Sequence, residues 1–381
     1  MRIRGLAKLL LTAGIITILG NGMTVFADTV KVNASNLNFR ASASMNADVI
    51  RMLPRGTVLE RTENLGEWSK VTVDGVTGYA ASRYLQEVTS IVSALTETTI
   101  TIPGKEAISG LQIIRDENKA LTSWDTVYAS EAWMAGLKSE YAYAANSKIN
   151  SGQAIFYKTN SQTPKNRAVC VNAGHGTKGG SSVKTLCHPD GSPKVTGGTT
   201  AAGATTAVAV SSGMTFNDGT QESAVTLKMA KILRDKLLAE GYDVLMIRET
   251  DDVQLDNVAR TVLANNLADC HLALHWDSTT KDKGCFYMSV PSNDSYRSME
   301  PVKSNWESHN RLGDCLIEGL RAGGNKIFSS GAMEMDLTQT SYSTIPSVDI
   351  ELGDKASSHS QEALETLANG LVTGVNRFFE K

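Results

Sequence analysis

Residues 169–176 of the chain, VCVNAGHG, form a short apolar run that breaks into a histidine with a glycine on each side. An apolar run of this length that ends in glycine is typical of a buried strand. Gly174 and Gly176 leave little crowding around His175, which suits a ring nitrogen that must reach a bound group. The stretch therefore predicts a functional side chain at the end of a buried strand, where the flanking glycines would also leave room for a long substrate.

Two later stretches have the same form. Residues 270–274 are an apolar-rich run that ends in His275, and residues 347–350 are another that ends in Glu351. In an open α/β sheet, ligands bind at the edge formed by the carboxyl ends of the strands. We therefore expect His175, His275 and Glu351 to meet at one edge of a sheet.

Glu222 is the fourth candidate, because it opens a segment with helical periodicity. Apolar positions recur through residues 225–237, and Gly241 is a suitable stop. A carboxylate in the first turn is favoured by the helix dipole, which alone would explain the residue. Together with His175 and His275, however, it completes the open three-ligand set of a catalytic zinc site.

Several short motifs agree in order and spacing with one enzyme family. They are GHG at 174–176, Glu222 at a helix start, GYDV at 241–244, IRETDD at 247–252, NVAR at 257–260, ANN at 264–266, AD at 268–269, LHWD at 274–277 and IE at 350–351. Each is weak alone. Together they make the chain from about residue 168 to its end resemble the zinc-dependent N-acetylmuramoyl-L-alanine amidases (the amidase-3 family).

The resemblance implies a site and a reaction. One zinc ion would lie on His175, Glu222 and His275, and Glu351 would be the catalytic glutamate. The reaction would be hydrolysis of the amide bond between N-acetylmuramic acid and L-alanine in peptidoglycan by a zinc-activated water, with Glu351 as general base. Two alternatives stay open: a zinc peptidase that cuts within the stem peptide, and an inactive wall-binding protein.

Two departures from the family pattern matter. The family has aspartate and proline before GHG, whereas this chain has Asn172 and Ala173, so a carboxylate that could orient a ligand histidine is missing there. This absence favours the inactive alternative. The gap from His175 to Glu222 is also long and holds a Gly/Thr-rich loop at 194–200, which concerns the shape of the substrate groove rather than the metal.

The first 27 residues predict a secretory signal peptide. Three basic residues precede an apolar run over residues 9–19, and VFA at 25–27 is an A-x-A-like end. The alternative is a membrane anchor, but the run is shorter than a full span. We expect a secreted, cell-wall-associated protein with no stable membrane insertion after cleavage.

The composition argues against polyanionic partners. The 381 residues are 41% apolar and 20% charged, and loss of residues 1–27 would take the formal net charge from −3 to −6. Without a cluster of lysine and arginine, we expect no nucleic-acid partner. We expect a monomer whose partner is peptidoglycan.

Residues 28–88 contain short strand-like runs separated by turn signals, including a DG hairpin turn at 74–75. The spacing predicts a small barrel, and the segment resembles a bacterial SH3-like (SH3b) domain. The resemblance implies help in holding wall substrate, against the alternative of a spacer barrel. Trp68, Tyr79 and Tyr84 suit a core or rim better than a binding cage.

The remaining chain divides in two. Residues 89–166 form a linker or intermediate region of unclear fold, with strand-like alternation at 98–103 and an Ala- and aromatic-rich stretch at 123–146 that favours a helix. Residues 167–381 alternate strand and helix. The predicted fold is therefore multidomain: a small all-β SH3-like barrel, then an α/β catalytic domain with a mixed central sheet flanked by helices.

The cysteines allow no firm disulfide, since five are an odd count that leaves at least one free. Cys270 and Cys285 could face each other on neighbouring strands, although buried free cysteine is common. The pairs Cys187-His188 and Cys270-His271 offer an alternative set of metal ligands, although Cys187-His188 lies in the insertion loop and is explained as a feature of that loop. However, His271 lies four strand residues from His275, about 13 Å, so these two histidines cannot share one zinc.

Overall fold

The computed structural model describes residues 28–73, 76–87, 95–102, 104–105, 108–113 and 126–380. The chain divides into two compact units, residues 1–93 and 94–381. The predicted signal peptide at 1–27 and the predicted turn at 74–75 lie outside the described ranges. Within those ranges, none of the helices combines the length and apolar character that a membrane span needs.

The first unit is all-β, as its sequence predicts. Its seven strands pair antiparallel in the order β3-β2-β6-β5-β4-β1-β7 around a core that includes Phe39 and Val71. Trp68 and Tyr79 are half-buried, and Tyr84 is exposed beneath the Arg83 guanidinium. The strands are β1 (Asp28–Val32), β2 (Asn36–Arg40), β3 (Val49–Pro54), β4 (Val58–Asn64), β5 (Trp68–Val73), β6 (Val76–Ala81) and β7 (Leu85–Glu87).

The second unit is an α/β layer structure. Its strands are β8 (Leu95–Ile100), β9 (Ile108–Ile113), β10 (Ala129–Gly136), β11 (Gln153–Thr159), β12 (Ala168–Ala173), β13 (Lys184–Leu186), β14 (Thr206–Val208), β15 (Asp243–Met246), β16 (Cys270–Asp277), β17 (Cys285–Ser289), β18 (Ile327–Glu334) and β19 (Ser347–Asp354). Its helices are α1 (Glu222–Glu240), α2 (Asn257–Leu267), α3 (Asp294–Arg297), α4 (Val302–Ala322), α5 (Thr338–Tyr342) and α6 (Gln361–Phe379).

Ten strands form one mixed sheet in the order β18-β17-β19-β16-β12-β15-β11-β10-β9-β8. The four central strands β15, β12, β16 and β19 run parallel, and antiparallel pairs flank them on both sides. The parallel centre is buried by helices, as such strands require. The mixed sheet with flanking helices confirms the predicted fold class.

The region of unclear fold, residues 89–166, supplies strands to this sheet. β8 to β11 continue it antiparallel from β15. The helix predicted within residues 123–146 is wrong over its described part, because 129–136 is a strand and only 144–146 form a short 3₁₀ turn. Trp133 explains the difference: its ring lies 6.4 Å from the Phe156 ring at a tilt of 50°, and it donates a hydrogen bond to Thr98 Oγ1, so cross-strand contacts outweigh helix propensity.

Strand alternation gives the sheet two faces, each with a hydrophobic cluster, and the candidate strand-end side chains lie on only one of them. Val171, Leu272 and Val348 point to the face where α1, α4 and α6 pack and form the main core. Residues one position away point to the opposite face. There β16 carries His271 and His275, and β19 carries Ser347, Asp349 and Glu351.

The insertion between His175 and α1 is anchored by one buried carboxylate. Asp336, which follows β18 and is fully buried, accepts hydrogen bonds from Lys194 Nζ (2.9 Å), Val195 N (2.7 Å) and Thr196 N (3.0 Å). His188 Nε2 lies 3.1 Å from Asp336 Oδ2, the oxygen that also accepts from Val195 N. Burial alone would raise the pKa of Asp336, but these contacts outweigh it and hold that pKa well below its usual range.

We predict that Asp336→Asn destabilises the second unit by about 3 kcal/mol at neutral pH, since it leaves the buried Lys194 without its carboxylate. A carboxylate whose pKa is lower in the folded state than in the unfolded state stabilises the fold. The full stabilisation is present above the unfolded-state pKa, about 3.9, and it is lost as the pH falls towards the folded-state pKa. The difference in free energy of unfolding between wild type and variant should therefore become smaller below about pH 4. Urea unfolding at several pH values measures it.

Asp190→Asn is the matched control. Asp190 lies in the same insertion but is exposed, and its backbone contact with Ser192 N needs only an oxygen acceptor. This variant should unfold like wild type. Equal stability of Asp336→Asn and wild type at neutral pH would contradict the anchoring role of Asp336.

Candidate metal and hydrolase site

Three predicted site residues meet at the carboxyl end of the parallel strands. His175 Nε2 lies 2.9 Å from Glu222 Oε1, and His275 Nδ1 lies 3.3 Å from the same oxygen. The two ring nitrogens are 3.1 Å apart, and the rings are nearly perpendicular. One ligand atom from each residue thus falls within a 4.8 Å group that could hold a metal ion.

Glu222 is held by backbone as well as by the two imidazoles. It is the first residue of α1 and only 2% exposed. Oε1 accepts from Trp276 N (3.0 Å), and Oε2 accepts from Met214 N (2.8 Å). At the other end, Gly241 closes the helix in the left-handed conformation that its sequence predicts. The carboxylate therefore joins the helix start to the end of β16 and to the insertion.

The turn that carries His175 is held by two buried arginines. His175 has a positive φ of 65°, a costly conformation for a residue other than glycine. Arg260 donates to the carbonyls of His175 (2.6 Å) and Ala173 (3.1 Å), and Arg248 donates to that of Gly174 (3.0 Å). Both arginines near the family motifs therefore fix backbone, and Arg260 also lines the cleft.

The glycines around His175 make room for the protein's own groups. A Cβ on Gly174 would lie 2.3 Å from the His275 ring, and one on Gly176 would lie 2.6 Å from the Arg248 guanidinium. The prediction that both glycines leave room for a long substrate is wrong, because the protein's own His275 and Arg248 side chains occupy this space. Gly176 also has a φ of +71°, which favours glycine.

Each histidine also has a partner for its second ring nitrogen. His175 Nδ1 lies 2.9 Å from the carbonyl and 3.0 Å from the hydroxyl of Ser211. His275 Nε2 lies 3.7 Å from Asp349 Oδ2. Metal-binding histidines usually have such an outer partner, because it fixes the tautomer and the ring orientation.

Glu351 faces the same cleft from β19, where it pairs with His275 in register. Within the described part of the chain, its Oε2 is enclosed and accepts no hydrogen bond, and the same holds for Asp349 Oδ1. The cleft has a volume of about 610 Å³. Its other walls come from the insertion and from β17, β18 and α5, and include Lys194, Gly198, Thr199, Met288, Met333, Met335 and Gln339.

The charges of the site favour a cation. Burial lowers the pKa of His275, but Asp349 and Glu222 outweigh it and raise that pKa to about 10. Burial and the neighbouring Asp349 raise the pKa of Glu351 well above its usual range. Burial also raises the pKa of Glu222, yet hydrogen bonds from His175 and His275 bring it below its usual range. Three carboxylates around two imidazoles call for positive charge, which a divalent ion supplies.

The spacing of the three ligand atoms fits such an ion. Atoms about 2.1 Å from one tetrahedral metal lie about 3.4 Å apart. The observed separations of 2.9, 3.1 and 3.3 Å are close to that value. Two imidazoles and one carboxylate are also a donor set that zinc accepts in hydrolases. His175, Glu222 and His275 therefore fit a metal without rearrangement of the backbone.

The second metal grouping suggested by the sequence does not form a site in the described residues. His188 serves the Asp336 anchor and contacts Ser192 through its other nitrogen. His271 is fully buried below the site, 3.2 Å from the Asn172 amide. The five cysteines are buried, and no disulfide joins any of them within the described residues. Asn172 thus contacts His271 and Arg260 rather than a ligand histidine.

Sequence reasoning missed Ser211, Asp336 and Asp349. Ser211 and Asp336 reach the site only through tertiary contacts, so no local pattern marks them. Asp349 did carry a signal, since it stands two positions before Glu351 on a strand and must share its face. Period-two alternation extended through Glu351 would have found it.

The sequence model of the N-acetylmuramoyl-L-alanine amidase family matches residues 169–377, more than half of the chain. The chain belongs to this family. The model of the bacterial SH3 domain matches residues 35–86, within the first unit.

Relatives of this amidase-family chain come from several bacteria. The provisionally named N-acetylmuramoyl-L-alanine amidase YrvJ of Bacillus subtilis (strain 168) is 26% identical over 234 residues, which cover 58% of this chain and 41% of the relative. The chain therefore matches about two fifths of the length of that curated relative. A solved apo amidase from Mycobacterium abscessus is 19% identical (TM-score 0.45; 57% and 100% coverage), and one from Mycobacterium smegmatis is 21% identical (TM-score 0.43; 56% and 97% coverage).

We predict that Gly174→Ala weakens divalent-metal binding at least tenfold. The added Cβ would overlap the His275 ring at 2.3 Å, and overpacking of this kind costs about 1–3 kcal/mol. Zinc affinity is measured by competition with a chromophoric chelator. Gly197→Ala is the matched control, because its Cβ would meet nothing closer than 4.0 Å. Wild-type affinity in Gly174→Ala would show that Gly174 does not set the position of the His275 ring.

Proposed function

We propose that this protein is a cell-wall hydrolase that cleaves the amide bond between N-acetylmuramic acid and L-alanine in peptidoglycan. One observation carries the proposal. A buried His175–Glu222–His275 group that fits a metal shares a cleft with Glu351, in a chain that belongs to the amidase family. The YrvJ relative also bears the name of this activity.

The proposed metal is one Zn²⁺. Its ligands would be His175 Nε2, Glu222 and His275 Nδ1, the atoms that already face one another. When bound, zinc supplies a Lewis acid that lowers the pKa of a coordinated water and polarises the substrate carbonyl. Glu222 is well suited as a ligand, since two backbone amides and the surrounding charge keep it ionised.

Glu351 is proposed as the residue that moves the proton. It takes a proton from the attacking water and returns it to the L-alanine nitrogen as that nitrogen leaves. Its raised pKa makes it a better base than an ordinary carboxylate once it is ionised, and a better acid once it is protonated. No covalent intermediate on the protein is required.

The cleft walls are proposed to receive the substrate around the lactyl–alanine junction. The insertion lies on one side, anchored through Lys194 and Asp336, and a methionine wall of Met288, Met333 and Met335 lies on another. Methionine is adaptable and suits small apolar groups of irregular shape. These walls also limit water around the reacting bond.

The further assignments follow from the same proposal. We propose that the first unit helps to hold peptidoglycan, as its match to bacterial SH3 domains suggests. A peptidoglycan hydrolase acts outside the cytoplasm, so we propose export through the predicted signal peptide. We propose a monomer, since one chain supplies every residue of the cleft.

We predict that zinc-loaded wild type releases stem peptides with a free L-alanine amino terminus from purified peptidoglycan. Glu351→Gln should lower this rate about 10²- to 10⁴-fold, because it removes the proton acceptor while keeping its size. Its zinc content should stay at the wild-type level, since Glu351 is not a ligand. Mass spectrometry of the products and metal analysis of both proteins measure these outcomes.

Glu307→Gln is the matched control, an exposed glutamate on α4 that should keep full activity. Cuts within the stem peptide would assign the protein as a zinc peptidase. A zinc-loaded wild type that binds peptidoglycan without releasing products would assign it as a wall-binding protein. Loss of zinc from Glu351→Gln would show that Glu351 is a ligand.

A further inference from the structure

Asp349 is a cleft carboxylate to which neither the sequence motifs nor the proposed reaction gives a role. It lies two residues before Glu351 on β19, so both side chains project from the same face of the sheet. It lines the cleft together with His275 and Glu351. A carboxylate that is largely buried costs free energy unless something compensates its charge.

The compensating group is His275. Its Nε2 lies 3.7 Å from Asp349 Oδ2, which is longer than a hydrogen bond but within the range of a charge contact. Its Nδ1 faces the other way, towards Glu222 and His175. The ring is therefore placed between the metal-facing group on one side and Asp349 on the other.

This placement decides which tautomer can bind a metal. A neutral imidazole carries one proton, so a ring that gives the Nδ1 lone pair to a metal must hold its proton on Nε2. That proton would point at Asp349, whose negative charge stabilises it. The opposite tautomer would put the proton between Nδ1 and Glu222, where the metal must lie.

His175 shows the same arrangement with the nitrogens exchanged. Its Nδ1 faces the Ser211 carbonyl and hydroxyl, which leaves Nε2 free to face Glu222. Both ligand histidines thus have an outer partner that selects the metal-facing nitrogen. For His175 the partner is mainly backbone, whereas for His275 it is the Asp349 carboxylate.

Asn172 cannot supply this function. It stands where the family pattern has an aspartate, and its side chain contacts His271 and Arg260 instead. In the sequence, the lack of an orienting carboxylate at this position favoured an inactive protein. Asp349 reaches a ligand histidine from another strand and removes that objection.

We infer that Asp349 is the positioning residue that holds His275 in the orientation and tautomer needed to bind metal through Nδ1. The inference rests on the proposed function, since it takes His175, Glu222 and His275 as the metal ligands. It also separates the two cleft carboxylates: Asp349 acts through His275, and Glu351 acts on the substrate.

The test measures metal affinity apart from turnover. Zinc affinity of the full chain is determined by competition with a chromophoric chelator for wild type, Asp349→Asn and Asp349→Glu. Loss of an outer partner of a metal-binding histidine lowers affinity about 10- to 100-fold, which is the loss expected for Asp349→Asn. Asp349→Glu keeps the charge and should recover at least part of that affinity.

Turnover at saturating zinc gives the second readout. Asp349→Asn should regain much of its activity when zinc is supplied in excess, whereas Glu351→Gln should stay inactive. Asp251→Asn, which removes one exposed charge outside the cleft lining, should bind zinc and turn over like wild type. Thermal unfolding of each metal-free protein verifies that the variants fold, and Asp349→Glu provides the comparison if Asp349→Asn does not.

The outcomes separate this inference from the proposed function. Wild type that fails to bind zinc overturns the metal site itself. Wild type that binds zinc, with Asp349→Asn binding equally tightly, overturns only the positioning role. Asp349→Asn that binds zinc normally but stays inactive at saturating zinc would also overturn it, because Asp349 would then act on the reaction directly.

Discussion

The buried carboxylate of Glu222 is the interaction on which the site depends. A carboxylate with 2% exposure must have each oxygen compensated, or it would strongly destabilise the fold. Its four partners come from three places: His175 after β12, His275 and the Trp276 backbone in β16, and the Met214 backbone in the insertion. The start of α1, two strand ends and the insertion must therefore meet at this one point.

The sheet supplies the rigidity that this meeting needs. Apolar residues of the four parallel strands pack against α1, α4 and α6, so the opposite face can carry polar groups in fixed positions. Arg260 and Arg248 hold the carbonyls of the His175 turn and offset the strain of its positive φ, and Arg248 does so from the side of α1, where it also donates to the Ser223 carbonyl. Burial lowers the pKa of Arg260 to about 9, which shows that desolvation of this guanidinium costs free energy. Its hydrogen bonds to the carbonyls of Ala173 and His175 offset that cost.

Much of this architecture could be predicted from the sequence, because its signals are local. Helix periodicity over residues 225–237 with Gly241 as the stop placed α1, and apolar runs that end in polar residues placed His175 and His275 at strand ends. Contacts distant in sequence could not be predicted. Trp133 pairs with Thr98 and Phe156 across strands and turned a predicted helix into β10, and Asp336 binds a loop some 140 residues earlier. Asp349 is intermediate, since alternation gives its face but only the fold gives its partner.

The two carboxylates of β19, Asp349 and Glu351, lie on one face of one strand but have different surroundings. Asp349 and Glu351 are about 7 Å apart along the strand, which is far enough for one to reach the His275 ring and the other to reach the open cleft. Burial raises the pKa of both carboxyls, and the negative charge of Asp349 raises the pKa of Glu351 further. Two buried carboxylates side by side cost free energy unless a cation lies nearby, because they lose their hydration and repel each other. The same negative charge would favour a cation at His175, Glu222 and His275, so two buried carboxylates that would otherwise destabilise the fold suit a site that holds a metal ion.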